Sequence, residues 1–288
     1  MSKINSQTSI DNGYSQAINL AKRHYENFPV ISWLIPEELR KHIAIVYWFA
    51  RTADDISDEG NLNDSERIIK LKKFEMRLRA LLNNQPENNL DRALQDTIYS
   101  KKLSPENFFK LIKAFKQDVV KKRYDNFEEV LDYCSNSANP VGRIILELFD
   151  VRNEKANYYS DKICTALQIT NFIQDTKIDY QKGRIYFPVA EMEYYEVKEE
   201  MFELNRINHN LEKLIEFSVD RVQNYFDEGK NLLAFLSGRL RYEIDWTING
   251  GEEVLRKIRG ADFDILSKRP SLSKVDYIKL LIKSILVK

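Results

Sequence analysis

Helix-breaking residues are scarce in this 288-residue chain, with 9 glycines and 7 prolines, so long stretches run without punctuation. Across those stretches apolar residues recur every three or four positions instead of alternating, which predicts helices and leaves no strand-rich region to compete. The chain therefore reads as all α. The spacing predicts helices from Tyr14 to Asn27, Pro36 to Ser57, Ser65 to Asn83, Leu90 to Lys101 and Pro105 to Tyr124. Further helices are predicted from Phe127 to Ser137, Val141 to Phe149, Tyr158 to Tyr180, Lys198 to Leu236 with a break, and Arg239 to Arg259. Ser104-Pro105 is a start signal, Gly60 and Gly183 are stop signals, and Asn139-Pro140 marks a break or kink. No repeat, low-complexity tract or linker interrupts the pattern. Residues 1–288 thus read as a single domain, with 1–13 as a flexible lead-in and 270–288 as a short, basic, solvated tail.

Charge excludes some classes. Lys+Arg and Asp+Glu both number 44, so no basic field points to nucleic acid and no acidic run points to a disordered tail. The two cysteines, Cys134 and Cys164, are too few for a disulfide framework, which favours a reducing, cytoplasmic location. Both read as buried small apolar residues. The opening "MSKINSQTSIDNGYSQ" lacks the apolar centre of a signal peptide, and no run approaches the ~18 apolar residues of a membrane span. The chain reads as soluble, with peripheral membrane contact left open.

Two acidic stretches carry the chemistry. In "IAIVYWFARTADDISDEG", Arg51, Asp54 or Asp55, and Asp58 stand at helical spacing just before Gly60, with Asp54 and Asp58 on one face, and in "ALQITNFIQDTKIDYQKG", Gln168, Asn171, Asp175 and Asp179 form a polar stripe before Gly183. An isolated pair of this kind is most often a solvated helix face. Here the pattern occurs twice, each time at a helix C-terminus, where the dipole opposes negative charge and like charges at i,i+4 cost roughly 0.2 to 0.5 kcal/mol. Bound cations would relieve both penalties. The donors are all oxygens with no His or Cys among them, which favours Mg²⁺ over Zn²⁺. Mg²⁺ takes a few carboxylates plus waters and phosphate oxygens, so two such pairs imply a phosphorylated ligand between them. Arg51, Lys182 and Arg184 stand close enough in sequence to hold its remaining oxygens. A diphosphate fits, and no G-x-x-x-x-G-K-[ST] loop points to a nucleoside triphosphate.

"RTADD..D" and "NFIQD...D" on two helices of an all-α chain resemble the squalene/phytoene synthase family, and the resemblance runs from about His24 to Arg269. "HYENFPV" (24 to 30), "FARTADDISDEG" (49 to 60), "FKQDVVKKRY" (115 to 124), "YCSNSANPVGR" (133 to 143) and "LQITNFIQD" (167 to 175) resemble its hopanoid-pathway, hydroxysqualene-forming branch. The resemblance implies an isoprenoid-synthase helical bundle around a central apolar cavity, Mg²⁺ at its mouth, and a prenyl diphosphate substrate. Asp54, Asp58, Asp175 and Asp179 match the metal-binding acids. Arg51, Tyr47, His24, Asn27, Gln168 and Asn171 match positions that contact the diphosphate or the substrate head, Tyr133 a cavity tyrosine, and Arg269 a phosphate-contacting arginine. In one departure, Gln174 stands where condensing relatives usually carry arginine. Less positive charge favours a reaction that holds one diphosphate over one that holds two. The C-terminal match is the weakest, with Glu252 near the place of a tyrosine found in some relatives.

The expected reaction is therefore Mg²⁺-dependent conversion of presqualene diphosphate to hydroxysqualene. The alternatives are head-to-head condensation of two prenyl diphosphates such as farnesyl diphosphate, and a non-catalytic helical relative acting as an assembly protein. Read by themselves, Tyr47, Trp48 and Phe49 are core packing, "NGGEE" (249 to 253) is a turn or helix-packing site, and Asp118 is either a solvated residue or a partner for a basic group.

Overall fold

Asparagine starts many of the helices. In the computed structural model, which describes residues 2–23, 35–203, 207–273 and 276, the side chains of Asn63, Asn88, Asn126, Asn153 and Asn208 each accept backbone N–H bonds at a first helical turn. These bonds satisfy donors that helix geometry leaves unpaired. Asn63 and Glu66 form a reciprocal capping box. The helices are α1 (Ser2–Arg23), α2 (Glu37–Asp58), α3 (Asp64–Leu82), α4 (Asn89–Ser100), α5 (Pro105–Val120) and α6 (Phe127–Ser137). They continue with α7 (Asn139–Leu148), α8 (Glu154–Gln174), α9 (Thr176–Gln181), α10 (Val189–Tyr194), α11 (His209–Gly229) and α12 (Gly238–Gly260). Short 3₁₀ turns lie at Glu199–Glu203 and Lys230–Phe235. There is no strand among the described residues.

Several expectations are corrected. Helix α1 begins at Ser2, well ahead of Tyr14, so the lead-in expected to be flexible is helical. The expected helix from Tyr158 to Tyr180 is two, parted at Asp175, where the Thr176 hydroxyl donates back to the Phe172 and Ile173 carbonyls (3.0 and 2.9 Å). Such back-bonding competes with the helical ladder. The C-terminal segment is not simply solvated: Pro270 is buried, and Asp276 pairs with Lys257 at 2.6 Å. Cys134 is buried as expected, whereas Cys164 is half-buried. The break at Asn139-Pro140 is present between α6 and α7, and Gly60 and Gly183 adopt positive φ (74° and 76°).

The described residues form two compact units, Met1–Val120 with Arg143–Arg152, and Lys121–Gly142 with Asn153–Lys288. In the first, α1 packs on α2 and α4, and Phe49 sits at the centre, 4.9 Å from Phe74 and edge-on to Phe108 at 5.2 Å. Trp48 and Phe49 are buried, as core packing requires. A buried polar knot joins three helices: the Tyr14 hydroxyl donates to Asp96 (2.7 Å) and lies within hydrogen-bonding distance of His42 Nδ1 and Thr97 Oγ1. Asp91, 1% exposed, is gripped by the Arg77 guanidinium and caps the Glu87 N–H.

In the second unit α8 is the central rod. Helix α11 packs along it and Gly229 approaches closely: a Cβ there would lie 2.6 Å from Ile163 Cγ1. On α12, a Cβ at Gly251 would lie 2.4 Å from the Phe226 ring and 3.0 Å from Leu167. The "NGGEE" stretch is thus a helix-packing site inside α12. These contacts fix the axis of α8 and therefore the position of the acidic end it carries.

Candidate active site

The first acidic end closes α2. One guanidinium, that of Arg51, serves three carboxylates: Asp54 (3.1 Å), Asp55 (2.7 Å) and Glu59. Burial works against the Arg51 charge, but Asp55, Asp54 and Glu59 outweigh it and keep the group protonated. A second arginine, Arg67 on α3, donates to the carbonyls of Ile56, Glu59 and Gly60, each at 3.0 Å, covering the acceptor end of α2. Arg51 and Arg67 thus offset part of the negative charge and part of the carbonyl dipole gathered at this terminus. Relief is incomplete at Asp54. Burial raises its pKa, Arg51 opposes that rise, and Asp58, Asp55 and Glu59 add to it. Asp58 stands one turn beyond, partly exposed, and Tyr47 one turn before Arg51, half-buried with its phenol pKa raised by burial.

The second acidic end lies at the α8–α9 junction. Gln168 is half-buried and Asn171 exposed, with the Asn171 carbonyl accepting the Asp175 N–H at 2.9 Å. The Asp179 N–H donates to the Asp175 carbonyl (2.7 Å), so the carboxylates remain one helical turn apart across the break. Arg269, 94 residues away in sequence, forks onto Asp175, with Nη2 to Oδ2 at 3.1 Å and Nε to Oδ1. Its pKa is raised by those hydrogen bonds and by the charge of Asp179 behind them, against the effect of burial. Beside this pair, Gln174 Nε2 donates to the Pro270 carbonyl at 2.6 Å. Past the end of α9, the Arg123 guanidinium donates to the Gly183 carbonyl (2.7 Å) and pairs with Glu199. Arg184 is half-buried and its N–H donates to the Asp179 carbonyl at 2.8 Å, while Lys182 is exposed.

Tyr133 is 5% exposed, in an aromatic cluster with Tyr124, Phe172 and Tyr186. The Phe172 and Tyr186 rings stack at 3.6 Å. Asp118 is buried, and Glu252 pairs with Lys230 at 2.6 Å. His24 and Asn27 lie outside the described residues.

Among the described residues no three His, Cys, Asp or Glu side chains form a ready-made metal cage. Pairs of carboxylates on each helix end instead fit Mg²⁺, which takes one or two protein carboxylates and completes its shell with phosphate oxygens and water. Burial first, and then the neighbouring acids, raise the Asp54 pKa against Arg51, so added positive charge at this end would favour its ionised form.

The squalene/phytoene synthase family profile matches residues 21–276, most of the chain and both acidic ends. The chain belongs to the squalene/phytoene synthase family. It is an enzyme of that type, with the all-α isoprenoid-synthase fold. A hydroxysqualene synthase of Rhodopseudomonas palustris is 33% identical over 88% of this chain and 85% of its own. A 15-cis-phytoene synthase of Synechococcus elongatus is 25% identical over 91% and 88%. The crystal structure of squalene synthase HpnC from Alicyclobacillus acidocaldarius superposes with a TM-score of 0.83 at 35% identity, covering 89% of this chain and 96% of that one.

Sequence reasoning missed Arg67, Arg123 and the Gln174–Pro270 bond. Each joins a side chain to a backbone carbonyl reached through a loop, and no spacing rule encodes such a partner.

Proposed function

We propose that this enzyme converts presqualene diphosphate to hydroxysqualene with loss of diphosphate, in a Mg²⁺-dependent step of squalene and hopanoid biosynthesis. The observation that carries this reading is that each acidic helix end has its own arginine: Arg51 pairs with Asp54, and Arg269 pairs with Asp175 and also feels the charge of Asp179. An arginine ion-paired with a carboxylate can exchange it for a diphosphate oxygen, keeping its planar donor fork satisfied in either state. Mg²⁺ held by Asp54, Asp58, Asp175 and Asp179 would supply positive charge to the leaving group.

Arg51, Arg184 and Arg269 bind diphosphate oxygens, and Gln168, Asn171, His24 and Asn27 orient the substrate head. The C–O bond between the cyclopropylcarbinyl carbon and diphosphate breaks with both electrons leaving on diphosphate, giving a cyclopropylcarbinyl cation in an apolar cavity. Tyr47 and Tyr133 offer aromatic faces to that cation and help keep water away until rearrangement is complete. One water then adds its oxygen to carbon and loses a proton, so no external reductant enters. The oily product leaves through peripheral contact with a membrane.

The similarity to a phytoene synthase favours a second reading, head-to-head condensation of two prenyl diphosphates, against which the neutral Gln174 stands. Incubation with presqualene diphosphate and, separately, farnesyl diphosphate, each with Mg²⁺ and without NADPH, separates them. Hydroxysqualene from presqualene diphosphate, with farnesyl diphosphate left unconsumed, is the expected result. Consumption of farnesyl diphosphate alone to a condensed product would replace this reading with the second.

A further inference from the structure

Three side chains at the α8–α9 junction hold the segment that follows α12. Gln174 Nε2 donates to the Pro270 carbonyl at 2.6 Å, Asp175 receives the Arg269 fork, and Lys177 Nζ reaches the Leu266 carbonyl at 3.4 Å. The segment itself is anchored at both ends. Ile265 and Leu266 are each 2% exposed and Pro270 is buried, while residues 267–269 between them are exposed. Arg269 is therefore an exposed arginine on a short span, and the polar bond nearest to it on the C-terminal side is the one from Gln174.

We infer that Gln174 is a positioning residue for Arg269: by holding the Pro270 carbonyl it fixes the neighbouring Cα, so that the guanidinium reaches Asp175 in the empty enzyme and the diphosphate in the loaded one. This rests on the reading of Arg269 as a diphosphate ligand. The neutrality of Gln174 matters as much as its reach. It donates to a carbonyl without competing for Asp175, which lies next to it in sequence, whereas a guanidinium at 174 would repel Arg269 and offer Asp175 a second partner. Without the Pro270 bond, Arg269 must find the diphosphate from a wider set of backbone conformations, and that added ordering weakens binding.

The test uses the full chain, Gln174→Met, which keeps side-chain length and helix propensity but removes the donor, Arg269→Ala, and the double variant. Hydrogen exchange in residues 266–272 of the ligand-free protein should quicken in Gln174→Met, with exchange in the middle of α8 unchanged. Binding of inorganic pyrophosphate in Mg²⁺, followed by calorimetry, should weaken about tenfold in Arg269→Ala and about fivefold in Gln174→Met. The double variant should bind no more weakly than Arg269→Ala. With substrate, Gln174→Met should raise KM more than it lowers kcat, and Gln174→Arg should not restore wild-type affinity. Unchanged exchange, or losses that multiply in the double variant, would overturn the inference alone. Wild-type affinity in Arg269→Ala would instead remove Arg269 from the diphosphate site and take the inference with it, whatever the exchange data show.

Discussion

Asp54 carries its charge at a cost to the folded chain. An acid whose folded pKa is raised binds protons more tightly when folded than when unfolded, so stability falls as pH climbs from the ordinary carboxylate range through the raised value. Above that raised value the penalty is fully present. Asp54→Asn should therefore melt no lower than wild type at pH 7 in the absence of metal, despite losing an ion pair. Its advantage should shrink as pH is lowered and wild-type Asp54 takes up its proton. A clear drop in melting temperature at pH 7 would show that Arg51 outweighs burial and crowding. The carboxylate type and the spacing of this end were legible in the sequence, because they depend on helical periodicity. The arginines that balance it were only half legible. Arg51 sits within the motif, but Arg67 acts on carbonyls 7 to 11 residues back across a turn.

Helices α2 and α8 do different work with the same kind of terminus. In α8, placement of the acidic end depends on close approach by α12, so Gly251→Ala should destabilise the fold by about 1 to 3 kcal/mol through overpacking against Phe226 and Leu167. Urea denaturation checks this, and an unchanged midpoint would mean that the Phe226 ring moves freely aside. In the unit that carries α2, Arg77 pairs with the buried Asp91 at 2.7 Å. Arg77→Ala leaves a carboxylate stranded and should cost about 3 to 5 kcal/mol. Most helices were legible from their apolar spacing, as in α6, whose bounds match the expectation from Phe127 to Ser137. The missed features have local causes. The break at Asp175 coincides with Thr176 hydroxyl bonds to the Phe172 and Ile173 carbonyls, and α10 has only six residues, too few to show a period.

The chain's response to acid should be dominated in part by one buried ring. Burial, together with Lys101 and Lys41 and against Asp96, pushes the His42 pKa from 6.5 down to about 4. The unfolded chain then binds more protons than the folded one between those values, and stability is lost as pH falls through that window. The loss from His42 runs at about 1.4 kcal/mol per pH unit at most. His42→Gln should be less stable near neutrality yet show a shallower fall below pH 6.5; an unchanged slope would mean that the knot of Tyr14, Thr97 and Asp96 opens before His42 titrates. Among the described residues no helix is long and apolar enough to cross a membrane. Fold and family were readable from periodicity and motifs, whereas the placement of Arg269 on Asp175 needed the path of the chain after α12.

The most direct measurement is diphosphate release from presqualene diphosphate in Mg²⁺ by wild type, Asp54→Asn and Asp175→Asn. Asp54 and Asp175 are each a proposed metal ligand, one from either acidic end. If both acidic ends grip one leaving group, each variant should lose at least about a hundredfold in rate while keeping wild-type helicity. Release at the wild-type rate from either variant, or from wild type in excess EDTA, would contradict the proposed chemistry.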